Sequence, residues 1–371
     1  MKIKYLSYII VLFYIAGCID PYAVDFAKNN KVLVVKGLLT DDFQDPDTIS
    51  IQYSTSIEGN IKMIAIASIE PKIRIVASGK EIKLIEYGKG KYLPPKDFQI
   101  KQNEKYVLEF IIDGDKYESM PESITVTPPI ANIYEKFNPI SKLSEDGKKQ
   151  LSANEIFIDF QDTPNQENYY LWRYTLYERL QHCFTCNYSI YDFYSEKCIP
   201  APPFFREPYY DYNCLSECYA IIEGTQINVN SDKLSNGNLV RGRLVAKIPY
   251  YYSYGCLVEV EQICISPEIF GFYKVLESQS QSTGGLADVP PAAIVGNINN
   301  LTNPIEKIVG YFGVANVQRK KIWIDRKQNT GQRELILGHS IVEEPQNPPR
   351  PPLAHCKKSA TRTPFKPEGW Q

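Results

Sequence analysis

Short runs of β-branched and aromatic residues, broken at intervals by Gly, Pro or Asp-Gly, constrain this chain more than any other feature. Residues 31–37 are nearly all Val and Leu between two lysines, 48–54 alternate through Ile49 and Ile51, and 61–69 and 72–77 follow at the same spacing. Ser78-Gly79-Lys80 reads as a hairpin turn into 81–87, and Asp113-Gly114-Asp115 as the turn between strands at 105–112 and 116–119. About seven such strands within roughly 100 residues predict an immunoglobulin-like β-sandwich over residues 31–128, bounded by Pro128-Pro129. Alternation of period two leaves little room for the 3.6-residue spacing of helices, so the fold class is mainly β.

The pattern resumes at 155–160, 169–178, 238–248, 257–266, 308–316 and 320–325, which predicts a larger β-rich domain over 129–342. Its single helix is expected at 267–282, with Pro267 in the first turn, apolar Ile269, Phe272, Tyr273 and Leu276 at helical spacing, and Gly284-Gly285 as a stop. Prolines dominate from residue 343 to 371 and predict an extended, exposed tail, with Cys356 as a point at which it is pinned.

The first residues decide the compartment. Lys2 and Lys4 precede an uncharged apolar run from Tyr5 to Gly17, shorter than the ~20 residues that span a bilayer, so residues 1–17 read as a cleaved export signal. Ile15-Ala16-Gly17-Cys18 resembles the lipobox of bacterial lipoproteins. That resemblance implies cleavage before Cys18, acylation of its sulfur and amine, and a lipid-anchored tether over 18–30. Several acyl chains hold a protein firmly, at about 0.8 kcal/mol per buried methylene. The formal net charge of −2, with no basic run, argues against a nucleic-acid partner.

Export also governs the cysteines. Eight of the nine follow Cys18: Cys183, Cys186, Cys198, Cys214, Cys218, Cys256, Cys264 and Cys356. An even number outside the cytoplasm reads as disulfides, four if all pair, in an unspecified connectivity. Five lie in an insertion, 182–219, rich in Tyr, Pro and Asn and poor in aliphatic residues, where cross-links replace a core. Zinc on Cys183-x-x-Cys186 and Cys214-x-x-x-Cys218 is the alternative; no metal or cofactor is assigned.

Catalytic patterns are thin. There are three histidines, and no Gly-x-Ser-x-Gly, His-Glu-x-x-His or phosphate-cradling loop. Glu259 and Glu261 share a strand face ~6–7 Å apart, a glycosidase-like spacing that solvated strands also show. Asp41, Asp42, Asp45 and Asp47 form an acidic turn without regular calcium-loop spacing, and Asp47-Thr48-Ile49 resembles a short O-glycosylation motif. Tyrosines cluster at 188–194, 209–212 and 250–254. Tyr209, Tyr210, Tyr251 and Tyr252 are the candidate partner or ligand contacts, because tyrosine buries a ring and keeps a hydroxyl wet. Packing around the disulfides is the competing reading.

A family resemblance rests on Asp288-Val289-Pro290-Pro291-Ala292-Ala293-Ile294-Val295-Gly296-Asn297-Ile298, Asn303-Pro304-Ile305-Glu306 and Val309-Gly310-Tyr311-Phe312-Gly313. Toward the N-terminus it rests on Cys18-Ile19-Asp20-Pro21-Tyr22, Val34 to Thr40, Tyr106-Val107-Leu108 and Tyr117-Glu118-Ser119. These resemble a Bacteroidota family of outer-membrane lipoproteins catalogued as a domain of unknown function, whose members are often encoded beside SusC-like TonB-dependent receptors. Lys36, the cysteine-rich insertion and the proline tail depart from the family pattern. The resemblance implies anchorage in outer-membrane lipid beside a β-barrel; with no catalytic constellation in the sequence the expected role is a non-enzymatic accessory of that barrel, and the acidic Asp20 and Asp25 after Cys18 suggest that it faces the cell surface. A direct binder of glycan or another nutrient, and a structural or assembly subunit of an outer-membrane complex, are the alternatives.

Overall fold

A computed structural model describes residues 31–42, 48–57, 60–144, 147–203, 205, 207–280, 296–345 and 353–371. The export signal, Cys18, the tether, Asp45, Asp47 and residues 288–295 of the signature lie outside the described residues. Two β-sandwiches follow one another, with a small cross-linked body attached to the second.

In the first sandwich, one sheet runs in the order Val309–Ala315, Val32–Thr40, Ile49–Ile57, Lys91–Leu93, Ile85–Gly88, with Asn60–Ala65 also on Ile49–Ile57. The facing sheet runs Ile298–Asn300, Asp115–Ser119, Lys105–Ile112, Lys72–Ile75, Glu81–Lys83. Alternate side chains of both sheets meet in an aliphatic core of Leu33, Val35, Ile49, Ile51, Ile73, Leu108 and Phe110, with Phe312 and Val314 from far down the chain. The hairpin turns form where Gly79 and Gly114 take positive φ.

Two of these strands were unexpected in this position. Val309–Ala315 forms as the alternation predicts, yet it lies parallel to Val32–Thr40, with Val35 opposite Gly310 and Leu38 opposite Gly313. Ile298–Asn300 pairs with Asp115–Ser119 in the other sheet. Gly310 makes the parallel fit possible: its φ is +112°, and a Cβ there would stand 1.7 Å from the Val35 carbonyl oxygen. A Cβ at Gly296 would meet the Gly310 carbonyl oxygen at 1.3 Å, so the two glycines let three backbone segments close on one another.

The second sandwich faces a three-stranded sheet (Ile130–Leu143, Gln150–Gln161, Leu239–Pro249) against a larger one ordered Val317–Ile324, Cys256–Ile265, Tyr169–Arg179, Tyr219–Glu223, Arg362–Thr363. Asn228–Ser231 also pairs with Tyr169–Arg179. Phe160, Tyr170, Trp172, Val258 and Val260 fill its core. Buried among them, Arg326 makes a two-pronged ion pair with Glu178 at 2.9 and 3.0 Å, and its remaining nitrogens donate to Asn154 and the Pro249 carbonyl. A buried charge pair of this kind holds its surroundings in one arrangement because either partner alone would be stranded.

The long Ile130–Leu143 strand had no clear sequence signal. It is an edge strand, mostly half-exposed, and its register slips between Asn138 and Lys142, around Pro139. Proline is tolerated at such an edge because it has no ladder hydrogen to lose.

Helix Pro267–Ser280 lies at the junction of the sandwiches. The Ser266 hydroxyl accepts from the Ile269 N–H at 3.4 Å as its N-cap. Ile269 is buried among Leu38 and Tyr311 on one side and Leu171, Val229 and Ile263 on the other. Polar bonds stitch the same seam. The Asn316 side chain accepts from the Thr127 N–H at 2.9 Å and donates to Asp41, while Gln262 donates to the Pro128 carbonyl at 2.7 Å.

Candidate functional site

The cysteine-rich insertion departs most from a plain sandwich, and it carries Tyr209 and Tyr210, two of the four tyrosines proposed as contacts. His182–Asn187 pairs antiparallel with Tyr209–Cys214, and Leu353–Ala354 joins the other edge of Tyr209–Cys214 in parallel. A second hairpin, Ser189–Asp192 with Lys197–Pro200, turns beside Tyr188 and Glu196, both at positive φ.

Three disulfides hold these pieces: Cys183–Cys214 across the first ladder, Cys186–Cys198 between the two small sheets, and Cys218–Cys356 to the tail. The first and third are close, since the sulfurs of Cys183, Cys214 and Cys218 lie within 4.8 Å of one another. The zinc alternative is replaced by this pairing, because Cys186 and Cys218 are bonded to Cys198 and Cys356 and all four proposed ligands are consumed in S–S bonds.

Full pairing of the eight cysteines is corrected as well. Cys256 and Cys264 are free, buried thiols on one strand, facing the second core. Eight residues of extended chain hold them ~27 Å apart, far beyond the ~7 Å Cα limit of a disulfide. Burial pushes the Cys264 thiol up to about 12 and Cys256 further, so both behave as small apolar side chains.

Tyrosine supplies the core expected to be missing. Tyr191, Tyr210 and Tyr212 pack with the cystines, Leu180, Ala220 and Ala354, and Phe184 and Val342 close the edges. Two of the three hydroxyls are bonded, Tyr212 accepting from the Tyr191 N–H at 2.9 Å and Tyr210 from the Glu207 N–H at 3.4 Å, while the Tyr191 hydroxyl is buried without a partner. Between these two tyrosines sits Asp211, fully buried, whose carboxylate accepts from the Thr185 hydroxyl at 2.7 Å, the Val342 N–H at 3.0 Å and His339 at 3.1 Å. Burial pushes this carboxyl up, but those three donors outweigh it and hold Asp211 below the ordinary range. The Tyr209 ring lies 4.1 Å from His339 and its hydroxyl donates to the Ser340 carbonyl.

The tail is therefore docked where it is described. Beyond the Leu353–Ala354 pairing and Cys356, Arg362–Thr363 adds a strand to the larger sheet, and Trp370 packs edge-on against Tyr219 and Trp323. The expected pin at Cys356 is present and about half of residues 353–371 are exposed, but Arg362–Thr363 and Trp370 dock the segment further than its prolines suggest.

The four tyrosines singled out as contacts separate in space. Tyr210 is only 2% exposed and is a core residue, which removes it from any contact surface in this conformation. Tyr209, Tyr251 and Tyr252 are half-buried. Tyr250 is buried with its hydroxyl donating to the Asn329 carbonyl at 2.7 Å, and Tyr252 stacks on Tyr254 at 4.7 Å. Tyr254 lines a cavity of about 730 Å³ with Arg179, Asn213, Leu215 and Glu217. The open aromatic surface belongs instead to Tyr188 and Tyr194, 78% and 87% exposed, with Ile199 and Leu215 also exposed on the same body. Sequence alternation does not reveal them, because both sit at turns.

The acidic candidates are committed elsewhere. Glu259 pairs with Arg319 and Lys321, both at 3.3 Å, and Glu261 with Arg319 at 2.6 Å and Arg173 at 2.7 Å, a cross-strand charge ladder. Asp42 pairs with Arg319, and Asp41 accepts from the Val317 N–H at 3.0 Å.

No curated protein matches the chain. The family model described as a domain of unknown function, DUF4249, matches residues 19–321, which take in the first sandwich, the insertion and most of the second sandwich and stop short of the docked tail. The chain belongs to the DUF4249 family.

Proposed function

We propose that this DUF4249 protein is an outer-membrane lipoprotein, anchored through acylated Cys18 and facing the cell surface, that serves as a non-enzymatic accessory subunit of a TonB-dependent β-barrel transporter. The observation that carries the reading is Ile15-Ala16-Gly17-Cys18 at the end of the apolar run. The resemblance of its signature segments to outer-membrane lipoproteins encoded beside SusC-like receptors supports it. A lipid tether confines the body to the plane of the membrane and raises its effective concentration beside a barrel, so a modest interface stays occupied. The contact surface follows from exposure: Tyr188, Tyr194 and the open edge of Tyr209, on a body held rigid by its disulfides.

Affinity purification from native membranes tests this. Cys18→Ala is expected to move the protein to the soluble fraction. Alanine at Tyr188, Tyr194 and Tyr209 is expected to reduce co-purification of a barrel with the amount of folded protein unchanged. Recovery of the lipoprotein alone, together with oligosaccharide binding by the soluble form, would replace the accessory reading with the nutrient-binder one.

A further inference from the structure

Among the described residues, two buried aspartates on neighbouring loops of the second sandwich have no cationic side chain bonded to them. Asp162 follows the Gln150–Gln161 strand, Asp232 follows Asn228–Ser231, and both are 1% exposed, as is Asn168 beside them. Asp162 accepts from the Gly237 N–H at 2.7 Å and from the Tyr170 hydroxyl. Asp232 accepts from the Asn168 N–H at 2.9 Å through Oδ2, while its Oδ1 is buried without a partner. Leaving a buried carboxylate oxygen such as Asp232 Oδ1 unbonded is costly, and a second buried carboxylate bonded only by uncharged donors stands beside it.

The Asn168 side chain shows where compensation belongs. Its terminal amide atom stands 3.4 Å from Asp162 Oδ1, 3.3 Å from Asp232 Oδ2 and 3.3 Å from the Thr163 carbonyl oxygen. An amide nitrogen has two hydrogens to give, and here it faces three acceptors. Rotating the amide by half a turn places its oxygen among the other three, and Gln166, 2.6 Å from the other end of the Asn168 amide, turns with it to keep that bond. Adjacent oxygens around a six-coordinate calcium ion at ~2.4 Å are ~3.4 Å apart, which matches these spacings.

We propose that Asp162, Asp232, the Asn168 amide oxygen and the Thr163 carbonyl hold a divalent cation of calcium's size and hardness. Oxygen-only donors select calcium over zinc or copper. An approach is present: Asn168 also lines a cavity of about 260 Å³ whose wall carries Glu122, Glu167 and Glu268, with Lys105 as its cationic member. Such a mouth attracts cations, and the bound ion would clamp the two loops, the first of which bonds the Tyr170 hydroxyl of the core through Asp162.

Calcium titration of the full mature chain after chelator treatment tests this, followed by calorimetry and thermal unfolding. With affinity in the ~10⁻⁴ to 10⁻³ M range of extracellular calcium modules, about 10 mM Ca²⁺ is expected to raise Tm by a few degrees. Asp232→Asn is expected to weaken binding at least about tenfold. Amide exchange on the wild type keeps the test decisive if that variant does not fold: Ca²⁺ is expected to slow exchange in 162–168 and 232–238 selectively. No change in Tm or exchange up to that concentration, or an equal response in Asp232→Asn, would overturn the site and leave a clamp closed by hydrogen bonds alone.

Discussion

The first sandwich and the cross-linked insertion solve the same problem with different chemistry. The sandwich buries mostly Val, Leu and Ile from two facing sheets, with Tyr92, Tyr106 and Tyr117 as a minority among them, and contains no cysteine in its described residues. The insertion has short ladders, a core led by Tyr191, Tyr210 and Tyr212, and three disulfides in or from it. Aliphatic burial needs long, well-registered strands on both faces, whereas tyrosine tolerates a wet edge and a disulfide acts chiefly by limiting the unfolded chain. A body built in the second way can present a surface of turns and exposed rings without unfolding, at the cost of depending on an oxidising compartment.

The largest effect that sharpens this contrast is expected from Cys218→Ala with Cys356→Ala. The bond closes a separation of 138 residues, worth about 5 kcal/mol by chain entropy, so its loss should free the tail and lower Tm sharply in calorimetry. Next is Phe312→Ala, expected to cost ~3–5 kcal/mol in denaturant unfolding of the first sandwich, although Phe312 is remote in sequence from the strands it packs on. Were that cost to fall on the second sandwich instead, the parallel pairing of Val309–Ala315 with Val32–Thr40 would be wrong.

A smaller effect, with a pH signature, is expected at Asp211. Its carboxyl is held below the ordinary range in the fold, so its contribution is present above the unfolded value near ~4 and is lost as pH falls through the folded value. Local opening of the insertion, followed by proteolysis, should therefore accelerate on acidification in the wild type, and Asp211→Asn should be looser at neutral pH with a flatter profile. Smallest is Tyr212→Phe, about 1 kcal/mol for the bond from the Tyr191 N–H, measured by chemical denaturation.

Much of this architecture is legible in the residues. Alternation located the strands at Lys105–Ile112, Tyr169–Arg179 and Val317–Ile324 within a residue or so at most ends, and the Pro267 start and apolar spacing located the helix. What alternation does not carry is which strand lies beside which. Val309–Ala315 reads as the next strand of the second domain, and only the close approach allowed by Gly310 and Gly296 explains its place in the first. The family signature around these glycines thus has a structural meaning of its own.

The site was less legible than the fold. Counting cysteines identified disulfides but missed that Cys256 and Cys264 share a strand face, which no even count detects. Tyr209 and Tyr210 are expected together as contacts in a region off the regular strands, but both lie on the strand Tyr209–Cys214, where neighbours point to opposite faces and only Tyr209 keeps an accessible edge. The Asp162 and Asp232 pair gave no signal at all, since 70 residues of chain separate the loops that meet.

Amide hydrogen exchange, read in oxidised and reduced protein, tests the contrast most directly. Reduction is expected to raise exchange steeply in 182–219 and 353–363 while the strands Val32–Thr40, Lys105–Ile112 and Val309–Ala315 keep their protection. Equal loss of protection in both regions, or an insertion that stays protected when its three disulfides are open, would contradict the division between an aliphatic sandwich and a sulfur-and-tyrosine body.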